Sequence, residues 1–455
     1  MTRLFGTNGI REVVGEKFTP SFVGRVVGAI GALLPVGRPI AVGWDGRTSS
    51  PAFAHLASST LALAGHRVVE LGLLPTPAIQ YNLPRVGAQL GLIVTASHNP
   101  PEFNGLKCIG EDGLEVPREF EEKVEAAVDQ GSTRVVPFDR VGEVETDSLG
   151  AVHYVDGIVA QVDPARIASR HFSVVLDCGN GASAVTSPQL LRRLGCRVVS
   201  LNAQVDGTFP GHLSEPVEAN VRGTLKVVAA VGADLGIIHD GDADRAIFVD
   251  SSGGFVPGEQ VFTLLARDAV ERHRGGIVVT PVSGSQAVED AVAPLGGSVV
   301  YTRVGSPTVT REMRARGAVF GGEENGGSVF PKFQYARDGA MSAAAVLDLL
   351  ARKGASLADL LKDVPKYALV KEKIACPVER REVVLAHIAQ ALGKGGSRVV
   401  TIDGVKAYLP GGWVLLRPSG TEPLFRVFAE SKDPARARAL ADEGLAAVRE
   451  ALTSA

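Results

Sequence analysis

Thr95-Ala96-Ser97-His98-Asn99-Pro100 sets a hydroxyl nucleophile where an apolar run stops. Leu90, Leu92, Ile93 and Val94 read as a buried strand, which Asn99-Pro100-Pro101 brings to an end. A serine held there meets ligand while its backbone stays anchored in a core. An ordinary Ser/Asn/Pro turn has the same composition, so the stretch needs support from elsewhere. Asn104-Gly105-Leu106-Lys107 follows it with a cation, and Phe5-Gly6-Thr7-Asn8-Gly9-Ile10-Arg11 delivers another from a Gly-bracketed loop. Solvated surface charge is the usual fate of both residue types.

Asp240-Gly241-Asp242-Ala243-Asp244-Arg245 also follows an apolar run, Leu235 to Ile238. Three carboxylates at i, i+2 and i+4 can converge on one side, repel one another and call for a cation. An all-oxygen set favours Mg²⁺ over zinc. The apolar flank Ala246-Ile247-Phe248-Val249 speaks against a solvated acidic turn. An EF-hand fails, because its sixth and twelfth positions hold Arg245 and Ser251 instead of Gly and Glu. In Gly321-Gly322-Glu323-Glu324-Asn325-Gly326-Gly327, Glu323 and Asn325 are able to grip adjacent sugar hydroxyls, and a plain Gly-rich turn is the alternative. Arg417-Pro418-Ser419-Gly420-Thr421-Glu422-Pro423 combines a guanidinium, two hydroxyls and Gly-spaced N–H groups, a composition suited to cradling phosphate, with Arg426 close by.

These segments need elements to hold them. Short aliphatic runs closed by Gly, Asp, Ser or Pro recur in three groups. The first comprises Ile40–Gly43, Val68–Leu71 and Leu92–Val94, the second Val174–Leu176, Val198–Val199 and Leu235–Ile238, and the third Ile277–Val279, Val299–Tyr301 and Val319–Phe320. Such runs fit strands buried between helices. Pro117, Phe120, Val124 and Val128 mark an amphipathic helix ending near Gly131. The last ninety or so residues differ. They carry a helical pattern over Val383 to Leu392, an antiparallel turn at Pro410-Gly411-Gly412, and a final helix capped by Asp433 with Pro434 at its first position.

The 455 residues exceed one core, and a 45% apolar, 21% charged composition is that of a globular protein. A net charge of −3 argues against a nucleic-acid coat or polybasic membrane surface. The longest apolar stretch, Val26 to Leu34, is too short for a span, and Met1-Thr2-Arg3 leading into a Gly-rich polar segment sets up the expectation of no signal peptide. Cys108, Cys178, Cys196 and Cys376 show no metal spacing, so reduced thiols in a cytoplasmic protein are expected.

Together and in this order the motifs resemble the α-D-phosphohexomutase superfamily, in its archaeal style. Supporting matches are Gly43-Trp44-Asp45-Gly46-Arg47, Pro75-Thr76-Pro77, Asp177-Cys178-Gly179-Asn180-Gly181 and Phe209-Pro210-Gly211-His212. The resemblance implies an α/β protein with three similar α/β domains with mixed sheets and a smaller α+β C-terminal domain, around a central cleft. The expected ranges are 1–150, 151–254, 255–365 and 366–455. It implies a phosphoryl group carried on Ser97, and one Mg²⁺ held by Asp240, Asp242, Asp244 and Ser97. Arg11, Lys107 and Arg245 then surround the transferred group, with Lys107 and secondarily His98 as proton carriers. Glu323 and Asn325 hold sugar hydroxyls, and Arg417, Ser419, Gly420, Thr421 and Arg426 hold the phosphate that is not being transferred.

The reaction so implied interconverts hexose 1- and 6-phosphates, of glucose or mannose, through a hexose 1,6-bisphosphate. Glucosamine phosphate is the alternative substrate. Many members have Ser and then His where this chain has Asn325 and Gly327, and some have a His missing from Thr302-Arg303-Val304-Gly305-Ser306, so the sugar stays open. The partner implied is a small phosphosugar, with neither nucleic acid nor membrane, and the oligomeric state is not fixed. A haloacid-dehalogenase-type phosphatase would use Asp240 and Asp242, but Asp244 stands where that signature has Thr or Val. A non-catalytic phosphosugar-binding protein is the other rival. A serine hydrolase is unlike this chain, because Ser97 lies in no GxSxG elbow.

Overall fold

The computed structural model describes residues 3–393, 397–419 and 423–454, arranged in two compact units. Met1–Leu265 and Asn325–Lys362 form the first, and Ala266–Glu324 with Asp363–Ala455 the second.

In the first unit, β1 (Ile10–Val13), β2 (Ile40–Trp44), β3 (Val68–Leu73), β4 (Leu90–Val94), β5 (Phe103–Gly110) and β6 (Val144–Thr146) make one sheet, ordered β1-β5-β4-β2-β3-β6. Aliphatic β2 and β4 are buried and pair in parallel. β5 runs antiparallel to β4, because only residues 95–102 join them, too few for a crossover helix. A second sheet, β11-β10-β9-β7-β8, repeats this plan with β7 (Ser173–Asp177), β8 (Arg197–Leu201), β9 (Leu235–His239), β10 (Ala246–Val249) and β11 (Phe255–Val256). β7 is parallel to β8 and β9, whereas β9 and β10 form a hairpin over residues 240–245. Both polar loops that follow apolar runs in this unit are therefore tight antiparallel connections.

Helices cover these sheets. Pro20–Leu33 begins with Pro after Thr19, whose side chain accepts from Phe22 N. Its Val23, Val26, Val27 and Ile30 pack with Phe53, Ala57 and Leu61 of the helix Ser50–Leu63 over Ile40, Val42, Leu92 and Val94. Each Val, Ile, Leu or Phe among them contributes about 1.5–3 kcal/mol on burial. Among the described residues no helix is long and apolar enough to cross a membrane.

In the second unit β12 (Gly276–Pro281) pairs in parallel with β13 (Gly297–Thr302) and β14 (Phe320–Glu323). The antiparallel hairpin of β15 (Gly327–Phe330) and β16 (Gln334–Arg337) belongs to the first unit. The C-terminal sheet is wholly antiparallel, ordered β17-β21-β20-β19-β18. Its strands are β17 (Ala368–Ala375), β18 (Arg398–Val400), β19 (Val405–Leu409), β20 (Gly412–Pro418) and β21 (Leu424–Ser431). Gly411, at φ +85°, turns β19 into β20. The helix Pro434–Ser454 lays Leu440, Ala441 and Val448 against this sheet. Lys406 is buried beneath, its Nζ 3.9 Å from the centre of the Trp413 ring and donating to Val282 O at 2.9 Å. The three α/β portions with mixed pairing and the antiparallel C-terminal module match the expected fold class. All four cysteines are free and buried.

Candidate active site

Ser97 is buried at the tip of the β4–β5 connection with φ +52°, a left-handed conformation that costs a non-glycine residue about 1–3 kcal/mol. Its surroundings hold it there. Ser97 N donates to Thr95 Oγ1 at 2.9 Å, and Thr95 Oγ1 donates to Asp45 Oδ2 at 2.7 Å. Asp45 also accepts from Ser50 Oγ and pairs with Arg47. The Arg47 guanidinium, itself buried, donates to the carbonyls of Ser97, Asn99, Pro100 and Phe103 at 2.6–2.9 Å. One side chain thus satisfies four carbonyls of the serine loop.

The β9–β10 loop meets that serine directly. A Cβ on Gly241 would stand 2.8 Å from Ser97 O, so only glycine permits the approach. Ser97 Oγ lies 3.3 Å from Asp240 Oδ2. Asp240, Asp242 and Asp244 are buried and offer ligand oxygens within 4.8 Å of one another. Asp242 Oδ2 accepts from Thr76 Oγ1 at 2.7 Å and Lys107 Nζ at 2.8 Å, and Asp244 Oδ2 from Arg337 Nη2 at 2.5 Å. The opposite oxygens, Asp242 Oδ1 and Asp244 Oδ1, are buried without a hydrogen-bond partner. Two orphaned carboxylate oxygens beside a third carboxylate fit a hard divalent cation such as Mg²⁺.

Four cations ring the three acids. Lys107, buried in mid-strand on β5, reaches Asp242 and Asp244. Arg245 lies 3.8 Å from Asp240 and 3.7 Å from Asp244. Arg11 donates to Asn99 Oδ1 at 2.9 Å, and Arg337 completes the set. Burial, then Asp244 and Asp242, hold the Asp240 carboxyl well above the usual range. Burial acts the same way on Asp242, but Lys107, Thr76 and Arg11 together outweigh it and hold that carboxyl below its ordinary value. His98 Nδ1 accepts from Arg245 Nη2 at 3.0 Å, and burial followed by Arg245 and Arg11 pushes its pKa down to about 2.

The structure brings Ser97, His98, Lys107, Arg11, Asp240, Asp242, Asp244 and Arg245 together in the first unit. Asn325 belongs to that unit and is exposed. Glu323 ends β14 in the second unit. Arg417 and Arg426 face each other across β20 and β21, and Arg417 Nε donates at 2.7 Å to Asp403, which also accepts from Val304 N. Ser419 is buried, its N–H bonded to Leu424 O. Gly420 and Thr421 lie outside the described residues.

Sequence reasoning missed Arg337, whose setting Tyr335-Ala336-Arg337-Asp338 carries no site signature. Arg47 and Thr76 stand in the sequence only as parts of longer motifs, although Arg47 holds the Ser97 loop and Thr76 holds Asp242.

Family models described as phosphoglucomutase/phosphomannomutase alpha/beta/alpha domains I, II and III match residues 2–135, 152–253 and 257–367, and the C-terminal domain of that description matches 371–447. A phosphoglucomutase/phosphomannomutase of Thermococcus kodakarensis is 38% identical over 456 residues, spanning 99% of this chain and 100% of its own. A probable phosphoglucosamine mutase of Methanopyrus kandleri is 39% identical over 449 residues, spanning 99% and 98%. The crystal structure of a phosphoglucomutase/phosphomannomutase family protein from Burkholderia thailandensis matches with a TM-score of 0.88 at 26% identity, covering 99% and 97% of the two chains.

Proposed function

This chain belongs to the phosphoglucomutase/phosphomannomutase family and is a phosphohexomutase, an intramolecular phosphotransferase, and from that premise we propose that it interconverts the 1- and 6-phosphates of glucose, mannose or both through a phosphoserine at Ser97. The observation that carries this reading is Ser97 Oγ lying 3.3 Å from one carboxylate of a triad ringed by four cations. Glucosamine 6-phosphate is the second reading, and the naming of the Methanopyrus kandleri relative favours it.

In the first half-reaction the bond between Ser97 Oγ and phosphorus breaks while one forms to a hydroxyl of the hexose monophosphate. The hydroxyl proton leaves its oxygen, Ser97 Oγ regains one, and a hexose 1,6-bisphosphate results. We assign proton carriage to Lys107. His98 Nδ1 is already taken as an acceptor by Arg245. Arg11, Lys107 and Arg245 oppose charge on the phosphoryl oxygens inside a buried site, where such pairs act strongly. Asp240, Asp242, Asp244 and Ser97 would hold Mg²⁺, which when bound supplies further positive charge there. Ser97 has no exposed surface, so turnover requires its surroundings to open. The bisphosphate then presents its other phosphate to Ser97, and the reverse transfer yields the isomer. Arg417 and Arg426 are the groups we assign to the phosphate that stays on the sugar, with Glu323 and Asn325 assigned to hydroxyls.

Glucose, mannose and glucosamine 1-phosphates are to be compared with Mg²⁺ and a trace of the matching bisphosphate. Conversion of at least one to its 6-phosphate is expected. Conversion of none overturns the proposal, and a strong preference for glucosamine selects the second reading.

A further inference from the structure

Arg337 is a cation of the ring whose stem lies against a glycine of the neighbouring strand. It ends β16, is nearly buried, and donates from Nη2 to Asp244 Oδ2 at 2.5 Å. On the neighbouring β15, a Cβ built on Gly327 would stand 2.5 Å from Arg337 Cδ and 3.2 Å from its Cγ. The stem of the arginine fills the space that any side chain at 327 would take. The hairpin is fixed to the Asp loop by two backbone bonds, Ala246 N to Gly326 O at 3.0 Å and Gly339 N to Ala243 O at 3.3 Å. The guanidinium therefore arrives from a rigid base.

Its contact divides the labour of one carboxylate. Asp244 Oδ2 is taken by Arg337, and Oδ1 is left buried and without a hydrogen-bond partner. Asp242 shows the same division, Oδ2 being held by Thr76 and Lys107 while Oδ1 stays open. Outer groups that grip the non-ligating atom of a carboxylate fix the direction of the ligating one.

We propose that Arg337, admitted by Gly327, is a positioning residue that turns Asp244 Oδ1 toward the divalent cation and sets the Mg²⁺ affinity of the site. The inference rests on the reading of the Asp triad as a Mg²⁺ site. A guanidinium that merely competed with the ion for Asp244 would have the opposite effect, so the sign of the change is decisive.

The test is a calorimetric titration of the resting enzyme with Mg²⁺ alone, without phosphosugar, for the wild type and for Arg337→Met, Arg337→Lys and Gly327→Ala. Gly327→Ala keeps every charge and displaces Arg337 by its methyl group, so it carries the test even if Arg337→Met fails to fold. Both Arg337→Met and Gly327→Ala are expected to weaken Mg²⁺ binding about 10–100-fold, with Arg337→Lys in between. Unchanged or tighter binding in Gly327→Ala, beside normal wild-type binding, overturns the role of Arg337 and leaves the metal site standing. A wild type that binds no Mg²⁺ overturns both.

Discussion

Arg47 Nη2 donates to the carbonyl oxygen of Ser97 at 2.7 Å, with both residues buried. The same guanidinium satisfies the carbonyls of Asn99, Pro100 and Phe103, so the left-handed turn at Ser97 is held from the loop that follows β2. Lysine keeps the charge but not the planar fork. Arg47→Lys should destabilise the protein by about 2–4 kcal/mol through unmade buried hydrogen bonds. It should also lower kcat about a hundredfold with little change in KM, because the serine loses its fixed aim. Denaturant melts and steady-state kinetics check this, and a kcat unchanged per folded molecule would contradict it.

The orphaned oxygens of Asp242 and Asp244 lead us to expect that Mg²⁺ held there would also stabilise the fold. A ligand at a hundred times its dissociation constant adds about 2.7 kcal/mol to the folded state. Mg²⁺ should therefore raise the melting temperature by a few degrees over the chelator-treated enzyme. In Asp242→Asn most of that rise should vanish, which paired thermal melts with Mg²⁺ and with chelator will show.

Arg417 and Arg426 sit directly opposite on adjacent strands, where two guanidiniums suit a phosphate, and Arg417 is held by its pair with Asp403. Arg417→Ala should leave the melting temperature little changed, because one partly exposed ion pair adds little stability. Losing a charge-assisted hydrogen bond of about 1.5–3 kcal/mol should raise KM for the phosphosugar some 10–100-fold. A fall in stability with unchanged KM would instead mark Arg417 as structural, through its pair with Asp403.

Lys406 offers a test by pH. Burial pushes its pKa down to about 8 from the ordinary 10.5, against the pull of Glu430, Glu324 and Glu289 and with Arg398 adding to the depression. The rings of Trp413, Tyr301 and Tyr408 enclose the ammonium. Below about pH 8 both folded and unfolded chains hold the proton, and the full burial penalty applies. Between about 8 and 10.5 the unfolded chain keeps a proton that the folded chain has released, so stability gains with rising pH. The stability of wild type relative to Lys406→Met should thus rise from about pH 7 to about pH 10. Tyr301 and Tyr408, both pushed up by burial, are common to the two proteins and cancel in the difference.

Apolar runs ending at Val94 and Ile238 were legible because burial demands uninterrupted aliphatic side chains, and the polar stretches that follow have no such reason to exist. The C-terminal helix was equally plain from Asp433 and Pro434. Lys107 was legible as a cation near Ser97 but its strand was not, since Asn104, Gly105 and Lys107 are poor strand formers, and β5 forms only by pairing with β4 and β1. Arg337 was invisible for another reason. Its meaning comes from Asp244, 93 positions away, and from the missing side chain at Gly327, neither of which is a local pattern. Glu323 and Asn325 read as one loop, whereas the chain passes between the two units just before Asn325. Periodicity reports burial, and it is silent about which distant carboxylate a buried cation meets.

The mechanism rests on Ser97 as the carrier of the phosphoryl group. Intact-mass and peptide mass spectrometry of the enzyme, before and after exposure to isotopically labelled hexose 1,6-bisphosphate, tests it directly. A single phosphate mapped to Ser97 that exchanges with the label is expected, with no labelling or isomerisation in Ser97→Ala. Isomerisation that persists in Ser97→Ala, or a phosphate that maps to another residue, would contradict it.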